Sequence, residues 1–509
     1  MKIRLAFLVS TALIAASSMA FGAGTGGVID VATIGEPPTL DPMASTADIV
    51  GMTTQHIFET LFTFDEQWNV VPLLAETMPA ISDGGKIYDI ALRQGIKFHD
   101  GSTMTSADVV ASIERWIAIA SRGKQVAAYI DSVRAQGDNA IRITMKKPYA
   151  PLLSLLAFNN SAAVIIPKAN LADPLTKIIG SGPYMLKERK ADQYIQVVRF
   201  DGYTPRKEAA NGLGGARKAI LDEIRFVPVP DANTRLEGAI SGQFDYADSL
   251  APEGYGRLSA STASDPVVLK PFGTPILQMN TKQGVLSTKE LRQAVQVALN
   301  PEDMLLAAFG NPEFFTATGA YYPEGYAWHT DAGVARYGTG DPEAAAELMK
   351  QGGYDGRPIR ILTSRQYEFH YKMAQVAAEY LKASGFKVEL EVFDWATLTT
   401  RRADPALWDI FITHGPFPPE PALNGWMSDS YPGWWATPGK AKVIEPFLTE
   451  SDPEKRKALW ADVQTTFYEE APVFKVGDFN ALASKGKMLQ GLHASPWPYF
   501  WNVSTNKKH

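Results

Sequence analysis

The sequence predicts an α/β fold. Strand-like and helix-like stretches alternate along the chain instead of falling into separate blocks. Of 509 residues, 45% are apolar and 20% charged, ordinary values for a globular chain that exclude collagen-like and low-complexity classes. The length suggests about three folded units, and a chain of this size buries a large core without crosslinks. Cys 0 excludes disulfides, thiolate metal sites, cysteine nucleophiles and a lipid-modified N-terminal cysteine.

The elements follow in order. Lys2 and Arg4, the apolar run from Leu5 to Ala16 and the small residues up to Ala23 have the layout of a secretory signal peptide spanning residues 1–23. Cleavage after Ala20 and after Ala23 both fit, and the apolar run is short for a membrane span. This leader holds two basic residues and no acid, so the net charge of −6 becomes −8 without it. An acidic exported chain is a poor partner for nucleic acid, whose binding rests on phosphate neutralisation. Val28 to Ile34 reads as a strand running into the proline-rich loop Gly35 to Pro42. A Gly84-Gly85 turn precedes the alternating strand Tyr88 to Leu92, and Asp100-Gly101 marks another turn. Thr105 and Asp108 form a capping box before a helix carrying Val109, Ile113, Trp116, Ile117 and Ala120 at helical spacing. Asp341-Pro342 opens a helix that Gly352-Gly353 closes. Met373 to Leu381 reads as a helix stopped near Gly385, followed by strands at Val388 to Val392 and Trp408 to Thr413. Asp452-Pro453 starts a last helix with Leu459, Val463 and Phe467 on one face. No internal repeat or low-complexity linker separates these elements.

Enzyme signatures are missing from the sequence. The histidines 56, 99, 329, 370, 414, 493 and 509 form no HExxH pair, and there is no GxSxG or P-loop motif. Ser121 to Lys124 fits SxxK without its companion motifs, and Gly123 reads as the C-cap of the preceding helix, so the match is taken as chance. Gly212 to Gly215 lacks dinucleotide-binding spacing. No cofactor and no metal are expected. Aromatic residues are the sharper signal. Trp408 and Trp460 are expected in the core. The loops Pro416 to Pro421 and Asp429 to Trp435 place Phe417, Trp434 and Trp435 in irregular segments, where they either pack or line a cleft.

These residues converge on a resemblance. Phe58 to Phe62, Val71 to Glu76, Asp83 to Tyr88, Leu92 to Gly101 and Thr105 to Val109 resemble the early signature of the family 5 extracytoplasmic solute-binding proteins of ABC importers, the peptide, nickel and opine type. Gly180 to Tyr184 is similar to that family's GTGPY-like turn. Asn280, Leu291 to Ala294, Ala298 to Asn300 and Asp341 to Tyr354 resemble its middle segments. The matches keep family order over nearly the whole mature chain.

The resemblance implies a two-lobed periplasmic binding protein of the large class, with an extra domain inserted in the first lobe. Residues 24–60, 180–271 and 485–509 would form the lobe 1 core, residues 61–179 the insertion and residues 272–484 lobe 2. It implies a receptor, not an enzyme, that encloses a di- or oligopeptide and delivers it to an ABC permease in the inner membrane. Opine-like sugar conjugates, oligosaccharides and chelated nickel are the alternative solutes, and an enzyme on the same fold is the alternative class. A periplasmic monomer is expected, free of a lipid anchor because there is no cysteine to carry one. Peptide binders of the family hold the solute's ammonium with an Asp-Pro segment after a strand, and Glu420-Pro421 stands at that place here. His414 sits near the loop histidine of the nickel type. The other residues expected to touch the solute are Thr39 after the first strand, Gly273 and Thr274 at the lobe crossing, Arg365 and Tyr367 after one strand, Trp395 after the next, and Phe417, Trp426 and Trp434 in the aromatic loops.

Overall fold

The computed structural model describes residues 26–507, so the expected leader at 1–23 lies outside the described residues. A 12-stranded sheet runs through the molecule. Two of its strands, Ser264–Met279 and Asp478–Gly486, pair antiparallel with each other and tie its two halves together. Their ladder shifts register between Leu269 and Gly273. Before the shift, Asp478–Gly486 also pairs with Tyr246–Leu250, which leads on to Val28–Thr33 and Glu223–Pro228 as parallel neighbours. After it, Gly273 to Met279 pairs antiparallel with Ile410–Pro416, which lies parallel to Ile359–Thr363, itself parallel to Val388–Val392. Ile359 and Ile361 are fully buried, whereas the edge strand Val388–Val392 leaves Leu390 and Val392 exposed. Burial keeps the inner parallel strands mostly apolar, with Asp30 and Arg360 at half-buried positions.

A separate antiparallel sheet of four strands between Ala80 and Met145 carries the helix Ser106–Ile119. The capping box forms as read: Thr105 N–H donates to Asp108 Oδ2 at 2.8 Å. Asp341 accepts from Ala344 N–H at 2.9 Å and opens helix Pro342–Gln351, and Asp452 accepts from Glu454 and Lys455 N–H to open Pro453–Glu470. Helix Glu368–Ala383 starts earlier than its apolar pattern suggested, at Glu368.

The reading of Gly123 is corrected. The chain breaks at Ala120, whose ψ of 140° is extended, and a second helix, Ser121–Ala127, contains Gly123 in its interior. A Cβ on Gly123 would lie 1.9 Å from the Trp116 carbonyl oxygen, so this glycine serves close packing of one helix on the other. Trp408 and Trp460 are buried core residues, as expected. Among the described residues no helix is long and apolar enough to cross a membrane.

Candidate ligand-binding cleft

A cavity of about 610 Å³ lies between the two halves. It sits beyond the carboxyl ends of strands Val28–Thr33, Ile359–Thr363, Val388–Val392 and Ile410–Pro416, where side chains from successive loops converge. The first half contributes Gly35, Glu36, Pro38 and the segment Ser45 to Ile49. The stretch from Ser121 to Asn160 contributes Ser121, Arg122, Gln125, Phe158 and Asn160. The second half supplies Gln366, Tyr367, Asp394, Trp395, Arg402, His414, Trp426 and Tyr431.

Five of the residues expected to touch solute line this cavity: Thr274, Tyr367, Trp395, His414 and Trp426. Thr274 Oγ1 donates to Asp478 Oδ1 at 3.2 Å, and Trp426 Nε1 donates to the Tyr321 hydroxyl at 2.7 Å. Tyr367 and Trp395 meet edge-to-face with centroids 5.1 Å apart, forming an aromatic wall.

The others lie elsewhere, each for a physical reason. Thr39 Oγ1 is turned into its own loop, accepting from Asp41 N–H at 3.0 Å. Gly273 is a strand residue pressed against the Gly415 carbonyl, where a Cβ would approach to 2.1 Å. Arg365 is exposed and lies over the Tyr371 ring at 3.9 Å. Phe417 packs among Tyr322, Tyr326 and Trp68. Trp434 stacks on Trp408 at 5.6 Å, outside the cavity. Glu420 is buried and held by Arg456, so its carboxylate is already neutralised and does not stand free to meet an ammonium group.

Sequence reading missed the charged groups that the cavity does hold. Asp48 begins the helix Asp48–Thr54 and accepts from Asn160 Nδ2 at 3.1 Å. It makes no ion pair with a lysine or arginine among the described residues, and His414 Nε2 lies 3.9 Å from its Oδ2. Burial pushes its carboxyl up to about 7, the nearby Asp248 adds to the rise, and the Asn160 hydrogen bond and Arg122 oppose it. Arg122 Nε donates to the Asn160 carbonyl at 2.9 Å and Nη1 to the Leu423 carbonyl at 2.7 Å, spanning the cleft. Burial pulls its guanidinium down to about 10, against the pull of Asp48. Arg402 faces the rings of Phe411 and Tyr431 at 5.5 and 5.8 Å and has no carboxylate partner among the described residues. The cleft therefore offers an unpaired carboxyl from one half and an unpaired guanidinium from the other. Among the described residues no group of three or more His, Asp or Glu side chains is placed to hold a metal ion.

A partly open cavity between two halves joined by a pair of strands is the architecture of a receptor that closes on its solute. Residues 69–436 match the bacterial extracellular solute-binding proteins, family 5, middle region. The chain belongs to this family.

This solute-binding protein is 28% identical over 484 residues to the probable peptide ABC transporter periplasmic-binding protein y4tO of Sinorhizobium fredii, with 91% of each chain covered. It is 24% identical over 518 residues to the glutathione-binding protein GsiB of Salmonella typhimurium, with 95% of each covered. Among solved structures, AgaA of A. tumefaciens R10 in complex with agropinic acid superposes with a TM-score of 0.83 at 24% identity, covering 95% of this chain and 99% of that one. DppA of Helicobacter pylori in complex with the peptide STSA superposes with a TM-score of 0.83 at 20% identity, covering 95% and 98%. The fold is thus the two-lobed one of periplasmic binding proteins.

Proposed function

We propose that this solute-binding protein encloses a small zwitterionic solute, a di- or oligopeptide, and delivers it unchanged to an ABC permease in the inner membrane. The observation that carries this reading is the charge pattern of the cleft. Asp48 has no direct ion pair with a lysine or arginine among the described residues, feeling Arg122 only through space, and Arg402 has no carboxylate partner there, while both line one cavity. Both are half-buried, and enclosing an unpaired charge is costly, so a solute bearing an ammonium and a carboxylate supplies a partner for each. The cavity of about 610 Å³ falls within the usual range for small ligands. The similarity to y4tO, a probable peptide-binding protein, and to GsiB, a glutathione-binding protein, supports a peptide or peptide-like solute.

On this reading the protein acts as a monomeric receptor in the periplasm, exported by its leader, and performs no chemistry. Residues 24–60, 180–271 and 485–509 form one lobe, 272–484 the other and 61–179 the insertion whose Arg122 reaches the cleft. Mass spectrometry of solute released from the purified protein tests the proposal. A peptide at about one per chain supports it. An opine-like sugar conjugate, an oligosaccharide or chelated nickel in its place overturns the peptide assignment, and turnover of the bound compound overturns the receptor assignment.

A further inference from the structure

Two buried histidines behind the cleft determine what one wall of it can recognise. His370, in the first turn of helix Glu368–Ala383, is fully buried among the rings of Tyr367, Phe369 and Trp395. Its Nε2 lies 3.0 Å from Nδ1 of His414, and its own Nδ1 is sealed from solvent with no hydrogen-bond partner. His414 lines the cavity near the end of strand Ile410–Pro416, with Nε2 3.9 Å from Asp48 Oδ2. Burial pulls His414 down to about 4 and His370 well below its ordinary value, so both rings are neutral at pH 7.

Two neutral rings joined by one hydrogen bond have two arrangements. If His414 Nδ1–H donates, the remaining proton of His370 sits on Nδ1, a buried N–H with nothing to receive it. If His370 Nε2–H donates, its Nδ1 keeps only an unused lone pair. Either way His370 Nδ1 stays unpaired, at about 1–3 kcal/mol, but only the second turns an N–H of His414, and not a lone pair, toward the Asp48 carboxyl oxygen. The second arrangement therefore holds, and it leaves the proton of His414 on Nε2.

We propose that His370 fixes the tautomer of His414, so that His414 presents an Nε2–H donor in the cleft and reads the first carbonyl oxygen of a peptide whose ammonium rests on Asp48. This rests on the peptide reading above. The 3.9 Å between Nε2 and Asp48 Oδ2 is too long for a direct hydrogen bond and sets a donor and an acceptor side by side. The ammonium and carbonyl oxygen of one amino-acid residue are spaced to meet both. A metal ion would need a lone pair on Nε2, which this tautomer does not carry. His414 is the binding residue, and His370 is a positioning residue.

The test is nitrogen-15 NMR of the mature, solute-free protein at pH 7, correlating ring nitrogens with carbon-bound protons. The expected spectrum has His414 protonated on Nε2 and bare on Nδ1. Protonation on Nδ1, or on both nitrogens, overturns the proposal. In His370→Phe, which loses the donor, the His414 signals are expected to move to a mixture of tautomers; retention of the pure Nε2–H form in a folded variant overturns the role of His370. If that variant does not fold, the wild-type spectrum decides. The carbonyl is tested by calorimetry with trialanine and its analogue bearing sulfur, a weak acceptor, in place of the first carbonyl oxygen. Wild type is expected to prefer trialanine about tenfold, His414→Gln to keep most of the preference and His414→Phe to lose it. Equal preference in wild type and His414→Phe overturns the carbonyl assignment. A wild type that binds no trialanine overturns the carbonyl assignment, while the peptide reading stands or falls on the released solute and the donor assignment on the spectrum alone.

Discussion

Arg456 grips Glu420 with both terminal nitrogens, Nη1 to Oε2 at 3.1 Å and Nη2 to Oε1 at 2.8 Å, and both side chains are buried. The same guanidinium lies over the rings of Trp328 and Phe447 at 5.0 and 4.6 Å. Removing one partner of a buried pair strands the other. Glu420→Ala is therefore expected to destabilise the protein by about 3–5 kcal/mol, with solute affinity in the folded fraction nearly unchanged. Adding Arg456→Met should recover much of the loss. Urea unfolding with calorimetry separates the two effects, and a large affinity loss at unchanged stability would restore Glu420 as an anchor.

Asp48 makes solute binding depend on pH with a definite sign. Its carboxyl is held at about 7 in the unloaded cleft, above the ordinary 3.8. A bound ammonium favours the ionised form, so binding releases a proton below that value. Affinity for a peptide should fall above about pH 8 as the solute's own α-amino group loses its proton, and should fall up to tenfold per pH unit below about 7 as Asp48 takes one up. Asp48→Asn should bind weakly at pH 8 and show no such slope. Stability of the unloaded protein carries the opposite sign: the folded state binds the extra proton between pH 3.8 and about 7, so stability falls as pH rises through that window. At pH 8, Asp48→Asn should therefore melt higher than wild type. Calorimetry in buffers of different ionisation heat counts the released proton.

Trp395 and Trp426 line the cavity and Trp434 does not. Trp395→Phe and Trp426→Phe should each shrink the fluorescence change on solute binding, while Trp434→Phe should leave it intact. The 11 tryptophans make replacement one at a time the practical measurement. A change that vanishes only in Trp434→Phe would contradict the placement.

Arg122 and Gln125 reach across the cleft to the carbonyls of Leu423 and Ala422, at 2.7 and 2.8 Å. Hydrogen bonds from a charged donor contribute about 1.5–3 kcal/mol. Arg122→Leu is expected to weaken solute binding by roughly 10- to 100-fold, following that range, and to raise the radius of gyration in X-ray scattering as the open form gains population. Unchanged scattering and unchanged affinity would show that the contact does not hold the halves together.

Local signals were legible in the sequence because they act over a few residues. The Thr105 capping box and the Asp341 and Asp452 caps appear where their spacing places them. The cleft is different. Asp48, Arg122 and Arg402 belong to three distant segments, and only the fold brings them to one cavity. Glu420 looked like a free anchor because its partner lies 36 residues further along the chain. The helix break at Ala120 comes just before Ser121 and Arg122, both of which line the cavity.

Asp48 and Arg402 stand on opposite halves of the molecule. Shut without cargo, the cleft would draw both groups further from water with only Arg122 near the carboxyl and no carboxylate partner for the guanidinium among the described residues, so idle closure is uphill. Cargo brings both missing charges at once and tips the balance. Under the proposed role, the receptor thereby proofreads itself: loaded copies dwell in the compact shape, empty ones do not, and the transporter is spared ATP turnover on deliveries that carry nothing.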